Sequence, residues 1–155
     1  MYFVVCSDNH TNYEILTEIR KKHPDAMAYI HCGDSELPID MMDGFITVRG
    51  NCDYYPEYED KQIVNINGEL NILVIHSHRQ NINRIYQLAE LAKEYNCQLV
   101  CYGHTHRFDV KKVDGITLVN PGSLRYNRDM TPTCYALVYY ENGKFRVQRI
   151  NTAEY

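Results

Sequence analysis

Histidine, aspartate and asparagine side chains that can bind metals recur at five places along the chain, each directly after a short apolar run. The first run leads into Asp8 and His10, and a later one leads into His104 and His106. Carboxylate, amide and imidazole ligands without paired cysteines suit divalent ions such as manganese, iron, zinc or nickel. The candidate ligands are Asp8, His10, Asp34, Asn51, His76, His78, His104 and His106.

These candidate ligands outnumber those that a single tetrahedral ion needs. Asp8 and His10 stand two residues apart, as do His104 and His106, and in an extended loop both members of such a pair point to the same side. The two members of each pair are therefore able to converge on a cation. Asp34 stands between a glycine and a serine, and its carboxylate is the candidate to bridge two ions. Two such ions would activate a water molecule and neutralise phosphoryl charge, which is the chemistry of phosphoester hydrolysis.

The elements that must carry these side chains alternate between strands and helices in the first half of the chain and are mostly strands in the second. Apolar positions at helical spacing predict a helix that ends before Pro24 and a second helix between positions 82 and 95. Short apolar runs that stop at polar residues or glycine predict strands before each group of candidate ligands. We interpret residues 1–155 as a single α/β domain with two sheets and helices outside, and one mixed sheet is the alternative.

Six short motifs rich in glycine, asparagine, aspartate and histidine follow one another along the first 125 residues or so. They are Asp8-Asn9-His10, Gly33-Asp34, Gly50-Asn51-Cys52-Asp53, His76-Ser77-His78, Gly103-His104-Thr105-His106 and Asn120-Pro121-Gly122-Ser123. In this order they resemble the signature of the calcineurin-like metallophosphoesterases, specifically the small YfcE-type phosphodiesterase branch. The resemblance implies a four-layer αββα sandwich of two mixed β-sheets flanked by helices. It also implies a phosphodiesterase that hydrolyses small phosphate esters through a metal-bridging hydroxide at a dinuclear centre.

The same resemblance implies a metal-binding role for seven of the eight candidate ligands, all except His78. Asp34 would bridge two divalent ions per chain, with manganese as the first choice and nickel, zinc or iron as alternatives. Asn51 would bind one ion and could also contact a substrate phosphate, because its amide can both accept and donate hydrogen bonds. One ion would be bound by Asp8, His10 and His106, and the other by Asn51, His76 and His104.

Two positions depart from the pattern of the family. Cys52 stands where the wider superfamily usually has a histidine that assists the leaving group, and Ser77 stands where a glycine is usual. A thiol is a weaker proton donor than an imidazolium at neutral pH. Asp53 and His78 are therefore candidate catalytic residues that could protonate the leaving oxygen, and His78 could equally orient a metal ligand.

Two arginines follow the last motif. A guanidinium at Arg125 or Arg128 could hold a substrate phosphate through paired hydrogen bonds. Ordinary surface arginines are the alternative interpretation of both residues. We take Arg125 as the candidate for substrate binding.

The composition limits the classes of function. With 16 Lys and Arg against 20 Asp and Glu, the net charge of −4 disfavours tight binding to long nucleic acids. No apolar run is long enough for a membrane helix. Six scattered cysteines without a signal peptide favour a reducing cytoplasm, and we interpret Cys97 and Cys101 as buried thiols rather than a zinc knot. We expect a cytoplasmic protein with a small phosphate ester as its partner, and exposed tyrosines and edge strands leave a homodimer open.

A protein-interaction scaffold is the alternative to an enzyme. The family resemblance extends to a retromer subunit that keeps the fold and uses it for binding, with metal ligands that are partly altered. All seven ligand positions of this chain carry competent side chains. A complete charged cluster favours catalysis, since a scaffold has no physical need for it. A metal-binding regulator without turnover is a third alternative.

Overall fold

A computed structural model describes all 155 residues, which form ten strands, two α-helices and one short 3₁₀ helix. The helices are α1 (Tyr13–Lys22), α2 (Arg84–Glu94) and the 3₁₀ helix (Ile39–Met42). The strands are β1 (Tyr2–Cys6), β2 (Tyr29–His31), β3 (Ile46–Thr47), β4 (Lys61–Ile66), β5 (Leu70–Ile75), β6 (Leu99–Tyr102), β7 (Phe108–Val113), β8 (Ile116–Pro121), β9 (Cys134–Glu141) and β10 (Lys144–Asn151).

The strands form two five-stranded mixed sheets. The first sheet has the order β10-β9-β1-β2-β3, and its strands β1, β2 and β3 are parallel. The second has the order β4-β5-β6-β8-β7, and its strands β5, β6 and β8 are parallel. All other neighbouring strands pair antiparallel. Because parallel neighbours end at the same edge of a sheet, the loops after β1, β2 and β3 lie together, as do those after β5 and β6.

The molecule has four layers, and a hydrophobic cluster lies between each layer and the next. Along β1, Phe3 and Val5 pack between the two sheets, whereas Val4 and Cys6 belong to the separate cluster that contains residues of α1. This alternation is the period of two that a strand imposes on its side chains. α2 packs through residues such as Leu88 on the outer face of the second sheet. The predicted αββα sandwich is therefore confirmed, and the single mixed sheet is wrong.

The first helix begins directly after the loop that carries two candidate ligands. Asn12 caps it, because its Oδ1 accepts the backbone N–H of Ile15 at 3.3 Å. The helix ends at His23, whose N–H donates to the carbonyl of Arg20 at 3.3 Å, and Pro24 follows. Neither α-helix combines the length and the apolar character that crossing a bilayer requires.

Candidate metal centre

Side chains predicted to bind metals converge where the parallel strands of both sheets end. Nε2 of His106 lies 3.2 Å from Oδ1 of Asp8 and 3.3 Å from Nε2 of His10. Nε2 of His76, which follows β5, lies 3.2 Å from Oδ2 of Asp34, which follows β2. Atoms from the two sheets are therefore close enough to share ions.

A second set of contacts surrounds Asn51, in the loop after β3. Its Oδ1 lies 3.0 Å from Nε2 of His76 and 3.1 Å from Nδ1 of His104. Asp34 lies between the two sets, since its Oδ2 is 3.2 Å from Nε2 of His76 and 4.0 Å from Nε2 of His10. The structure brings all seven predicted ligands together, in one group of Asp8, His10 and His106 and another of Asn51, His76 and His104, with Asp34 between them.

The backbone of the two ligand pairs differs from the extended loops that their spacing predicts. The φ angles are 55° for Asp8, 42° for His10, 75° for His104 and 55° for His106, all in the left-handed region. Each left-handed residue turns the chain and removes the two-residue alternation. His104 therefore faces Asn51 while His106 faces Asp8. His104 and His106 therefore stand in different groups of predicted ligands, as the family resemblance implies, and the extended conformation expected from their spacing is wrong.

Hydrogen bonds to backbone carbonyls fix the tautomers of two histidines. Nδ1 of His76 donates to the carbonyl of Cys32 at 2.7 Å, and Nδ1 of His106 donates to the carbonyl of Tyr126 at 3.0 Å. In each neutral ring Nε2 then carries a lone pair, and it faces a carboxylate oxygen 3.2 Å away. Two acceptors at this distance repel each other unless a cation or a proton lies between them. This arrangement fits divalent cations held by imidazole and carboxylate ligands.

The carboxylate of Asp8 provides a second test of that fit. Its Oδ2 accepts hydrogen bonds from Oγ of Ser7 at 2.6 Å and from the backbone N–H of His104 at 3.2 Å. Its Oδ1 is buried and has no hydrogen-bond partner. Burying an anionic oxygen without a partner is costly. A cation at Oδ1 would remove that cost, so Asp8 fits a metal-binding role.

The charges of the cluster shift the pKa values of Asp8, Asp34 and His104 in directions that suit metal binding. Burial opposes ionisation of Asp8, but His106 and His76 lower its pKa below the usual range. Burial likewise opposes ionisation of Asp34, and its interactions with His76 lower its pKa. Burial followed by repulsion from His76 lowers the pKa of His104 to about 4. Both carboxylates are therefore anionic at neutral pH, and His104 is neutral.

Asp53 organises the backbone around the cluster. Its Oδ2 accepts the N–H groups of Asp34 at 2.8 Å and Gly50 at 2.7 Å, and its Oδ1 accepts the N–H of Glu36 at 2.8 Å. Three backbone donors thus engage both oxygens of this buried carboxylate. These contacts give Asp53 a positioning role and do not support the proton-donor role that the sequence suggested.

His78 lies behind the ligands rather than among them. Its ring centroid is 5.5 Å from that of His76 and 6.3 Å from that of His104. It lines a separate cavity of about 210 Å³. Burial, followed by repulsion from His76, lowers the pKa of His78. This position favours orientation of the neighbouring rings over direct proton transfer to a substrate.

Five of the seven predicted metal ligands line one cavity of about 280 Å³. Arg125, the candidate for substrate binding, lines this cavity, and so do the neighbouring Tyr126 and Arg128. A ligand in this cavity can therefore contact predicted metal ligands and both arginines together. The lining residues are His10, Asp34, Asn51, Cys52, His104, His106, Arg125, Tyr126 and Arg128.

Two further residues that support the site received no role from the sequence. His31 is fully buried, donates from Nε2 to Oδ1 of Asn9 at 2.7 Å and accepts the N–H of Gly33 on Nδ1 at 3.1 Å. Its pKa is lowered to about 4, chiefly by burial, so the ring stays neutral. Oγ of Ser123 donates to the carbonyl of Asp8 at 2.9 Å. The only signal for Ser123 was its place in the last motif.

We expect Gly50→Ala to disturb the cluster by displacing Asp34. A Cβ at Gly50 would lie 2.5 Å from the backbone nitrogen of Asp34 and closer still to its Oδ1. Gly50 does not need a positive φ, so the conflict is purely steric. Calorimetric titration with Mn²⁺ should show binding weaker by about 10- to 100-fold, as for other supporting positions of metal sites. Gly143→Ala, in the turn between β9 and β10, meets no atom within 4 Å; its φ of 77° strains that turn, but its Mn²⁺ affinity should match that of the unaltered protein. Equal affinities of Gly50→Ala and the unaltered protein would contradict this prediction.

Comparison with known proteins identifies the family. The family model of the calcineurin-like phosphoesterase superfamily domain matches residues 1–143 of this chain. The chain is 33% identical over 155 residues to YsnB, a probable metallophosphoesterase of Bacillus subtilis, with 96% of this chain and 89% of YsnB covered.

Solved structures agree with that match. A predicted phosphoesterase from Streptococcus pneumoniae has a TM-score of 0.90 at 30% identity, with 97% of this chain and 88% of that chain covered. An archaeal phosphodiesterase shares the fold at 22% identity, with a TM-score of 0.74 and coverage of 97% and 100%. Vps29 of Entamoeba histolytica in complex with zinc shares it at 19% identity, with a TM-score of 0.73 and coverage of 97% and 99%. The chain therefore belongs to the calcineurin-like phosphoesterase superfamily.

Proposed function

We propose that this protein hydrolyses small phosphate esters, and phosphodiesters in particular, with two divalent ions bound by the seven-residue cluster. The observation that carries this proposal is the pair of tautomer-fixed histidines, His76 and His106, each with an Nε2 lone pair 3.2 Å from a carboxylate oxygen. Manganese is the first candidate, with nickel, zinc and iron as alternatives. When bound, two such ions lower the pKa of a shared water molecule and offset the negative charge on the phosphoryl group.

Side chains around the cavity must also bind the phosphate. Oδ1 of Asn51 faces two imidazoles, and its Nδ2, 3.6 Å from Sγ of Cys52, can donate to a phosphate oxygen. Arg125 lines the same cavity and can donate from its planar guanidinium. In the reaction a water oxygen adds to phosphorus, the P–O bond to the alcohol breaks, and the alcohol oxygen takes up a proton.

Cys52 is poorly suited to supply that proton. Its backbone N–H donates to Oδ1 of Asp34 at 2.8 Å, so its side chain stands beside the cluster. Burial, followed by the negative charges of Asp34 and Glu36, raises the pKa of the thiol to about 11. A donor with so high a pKa transfers its proton weakly near neutrality. We therefore propose that the enzyme favours esters with good leaving groups.

Replacing Cys52 by histidine should improve esters with poor leaving groups selectively. General acid catalysis typically contributes about 10²- to 10⁴-fold, and alkyl esters depend on it more than nitrophenyl esters do. The measured quantity is the ratio of kcat/KM for an alkyl ester to that for a nitrophenyl ester, with metal content checked. We expect Cys52→His to raise this ratio by about tenfold or more and Cys52→Ser to leave it unchanged. An unchanged ratio in Cys52→His with both metals bound would show that another group already protonates the leaving oxygen.

A scaffold without catalysis is the competing proposal. The likeness to Vps29, at 19% identity, is a likeness of fold. Against a scaffold stands the complete set of seven predicted ligands, each of which lies within 3.3 Å of at least one other.

Elemental analysis of the purified protein, followed by an ester panel with manganese, nickel, zinc and magnesium added separately, distinguishes the proposals. About two metal ions per chain with turnover supports the enzyme. Metal without turnover on any ester supports a metal-binding regulator, and neither metal nor turnover supports a scaffold.

A further inference from the structure

Two arginines project from a loop that is fixed against the metal cluster. Oγ of Ser123 donates to the carbonyl of Asp8 at 2.9 Å and accepts the backbone N–H of Arg125 at 2.9 Å. The backbone N–H of Arg128 donates to the carbonyl of His106 at 3.0 Å. The positions of both arginines are thereby tied to two of the predicted metal ligands.

A buried asparagine holds the middle of this loop. Oδ1 of Asn127 accepts the N–H of Ser123 at 2.8 Å, and its Nδ2 donates to the carbonyl of Pro132 at 2.7 Å. Asn127 is only 7% exposed, whereas Arg125 and Arg128 on either side are exposed. A loop held in this way loses little conformational freedom when a ligand binds.

The protein itself does not use the two guanidinium groups. Neither Arg125 nor Arg128 forms a side-chain hydrogen bond or an ion pair within the chain, whereas Arg49 and Arg79 both pair with Asp60. Arg125 and Arg128 both line the same cavity as five of the seven predicted metal ligands. They are therefore available to a ligand in that cavity.

The charge of the cavity exceeds what a single phosphodiester can neutralise. The carboxylates of Asp8, Asp34 and Glu36 lie at the cluster, each within 4.0 Å of an imidazole nitrogen. The carboxylate of Asp53 is already engaged by three backbone donors. Two divalent ions would outweigh the first three carboxylates by one charge, which the hydroxide formed from the shared water would balance. A phosphodiester then places one negative charge against the two guanidinium groups, so one positive charge still lacks an anionic partner.

We infer that the substrate carries a second phosphate group beside the ester that is hydrolysed, and that Arg125 and Arg128 bind this second phosphate. The inference rests on the proposed phosphoesterase function and narrows its substrate class. Guanidinium groups bind phosphate through paired hydrogen bonds and stay charged at every relevant pH. Tyr126, which lies between the two arginines in the sequence, also lines this cavity. Its ring centroid is 4.5 Å from that of His106.

Two probes that differ only in a second phosphate test this inference. Thymidine 5′-(4-nitrophenyl phosphate) and its 3′-phosphorylated form release the same nitrophenol, so leaving-group effects cancel. With manganese-loaded protein at low ionic strength, we expect kcat/KM to be about 10- to 100-fold higher for the 3′-phosphorylated probe, mainly through a lower KM. Added salt should reduce this preference.

Matched variants assign the preference to the two arginines. Arg125→Gln combined with Arg128→Gln should abolish it. Arg146→Gln removes the same charge on β10, where that side chain lies over the ring of Tyr139, and should retain the preference. A preference that survives the double substitution, or that disappears in Arg146→Gln, would overturn the assignment.

A binding measurement separates this inference from the proposed function. Calorimetry should show tighter binding of thymidine 3′,5′-bisphosphate than of thymidine 5′-phosphate, whether or not esters are hydrolysed. Turnover of both probes at equal kcat/KM would overturn the inference and leave the function standing. Tight, arginine-dependent binding of the bisphosphate without turnover of either probe would overturn the function alone. Equal binding of the bisphosphate and the monophosphate, without turnover of either probe, would overturn both the inference and the proposed function.

Discussion

Asp34→Asn will retain the fold and lose nearly all phosphoesterase activity. Oδ1 of Asp34 accepts the backbone N–H of Cys52 at 2.8 Å, and an asparagine oxygen can replace it there. At Oδ2 the variant would place an NH₂ group 3.2 Å from Nε2 of His76. That group would donate to the lone pair that a cation needs, and a neutral amide cannot offset two dications as a carboxylate does. We expect kcat to fall by about 10²- to 10³-fold or more.

Turnover and metal content must be measured on the same sample of this variant, with thermal unfolding as the test of folding. Asp114→Asn makes the same chemical change at an exposed residue that pairs with Lys93 and should keep full activity. An Asp34→Asn protein that holds two manganese ions and turns over at nearly the normal rate would contradict the bridging role.

Manganese affinity, and activity with it, will fall steeply as the pH drops from about 7 to about 5. Metals bind the neutral imidazole, so protons compete for the same nitrogen. Burial alone would lower the pKa of His76, but the carboxylates of Asp34 and Asp8 outweigh burial and raise it above 6.5. Below that raised pKa the proton occupies His76 of the metal-free protein, and each further pH unit costs about tenfold in affinity from this residue alone. His104, with a pKa of about 4, adds to the loss only in stronger acid.

Calorimetric titration with Mn²⁺ across this pH range checks the second prediction. His23, at the end of α1 and hydrogen-bonded to Tyr135, lies outside the cluster, so His23→Gln should show the same pH dependence as the unaltered protein. An affinity that stays constant down to about pH 5 would be incompatible with histidine ligands whose protons compete with the metal.

The sequence alone was sufficient to predict which residues gather at the site. His76 follows the buried strand β5 directly, and His104 is the second residue after its parallel neighbour β6. Strand ends of this kind bring their loops together. Glycine and polar residues after short apolar runs marked these ends clearly. The prediction of the αββα layering came from the resemblance to the family, because β1 is apolar on both faces and the apolar runs alone left one mixed sheet open.

The conformation of the ligand loops was not predictable from periodicity. His104 is held in the left-handed region by tertiary contacts, among them the bond from its N–H to Oδ2 of Asp8, 96 residues away in sequence. The positioning roles of Asp53 and His31 were not predictable either, because they too depend on tertiary contacts. Their partners, such as Glu36 for Asp53 and Asn9 for His31, come from other strand ends, and spacing along the chain does not show which buried polar group a side chain will meet.

An anomalous-difference map from crystals of the manganese-loaded protein, recorded near the manganese absorption edge, will show most directly whether Asp34 lies between two ions. We predict two peaks per chain, both in contact with the carboxylate of Asp34. The remaining ligands should divide between the peaks as Asp8, His10 and His106 for one and Asn51, His76 and His104 for the other. A single peak at the cluster, or two peaks of which only one contacts Asp34, would contradict the dinuclear centre.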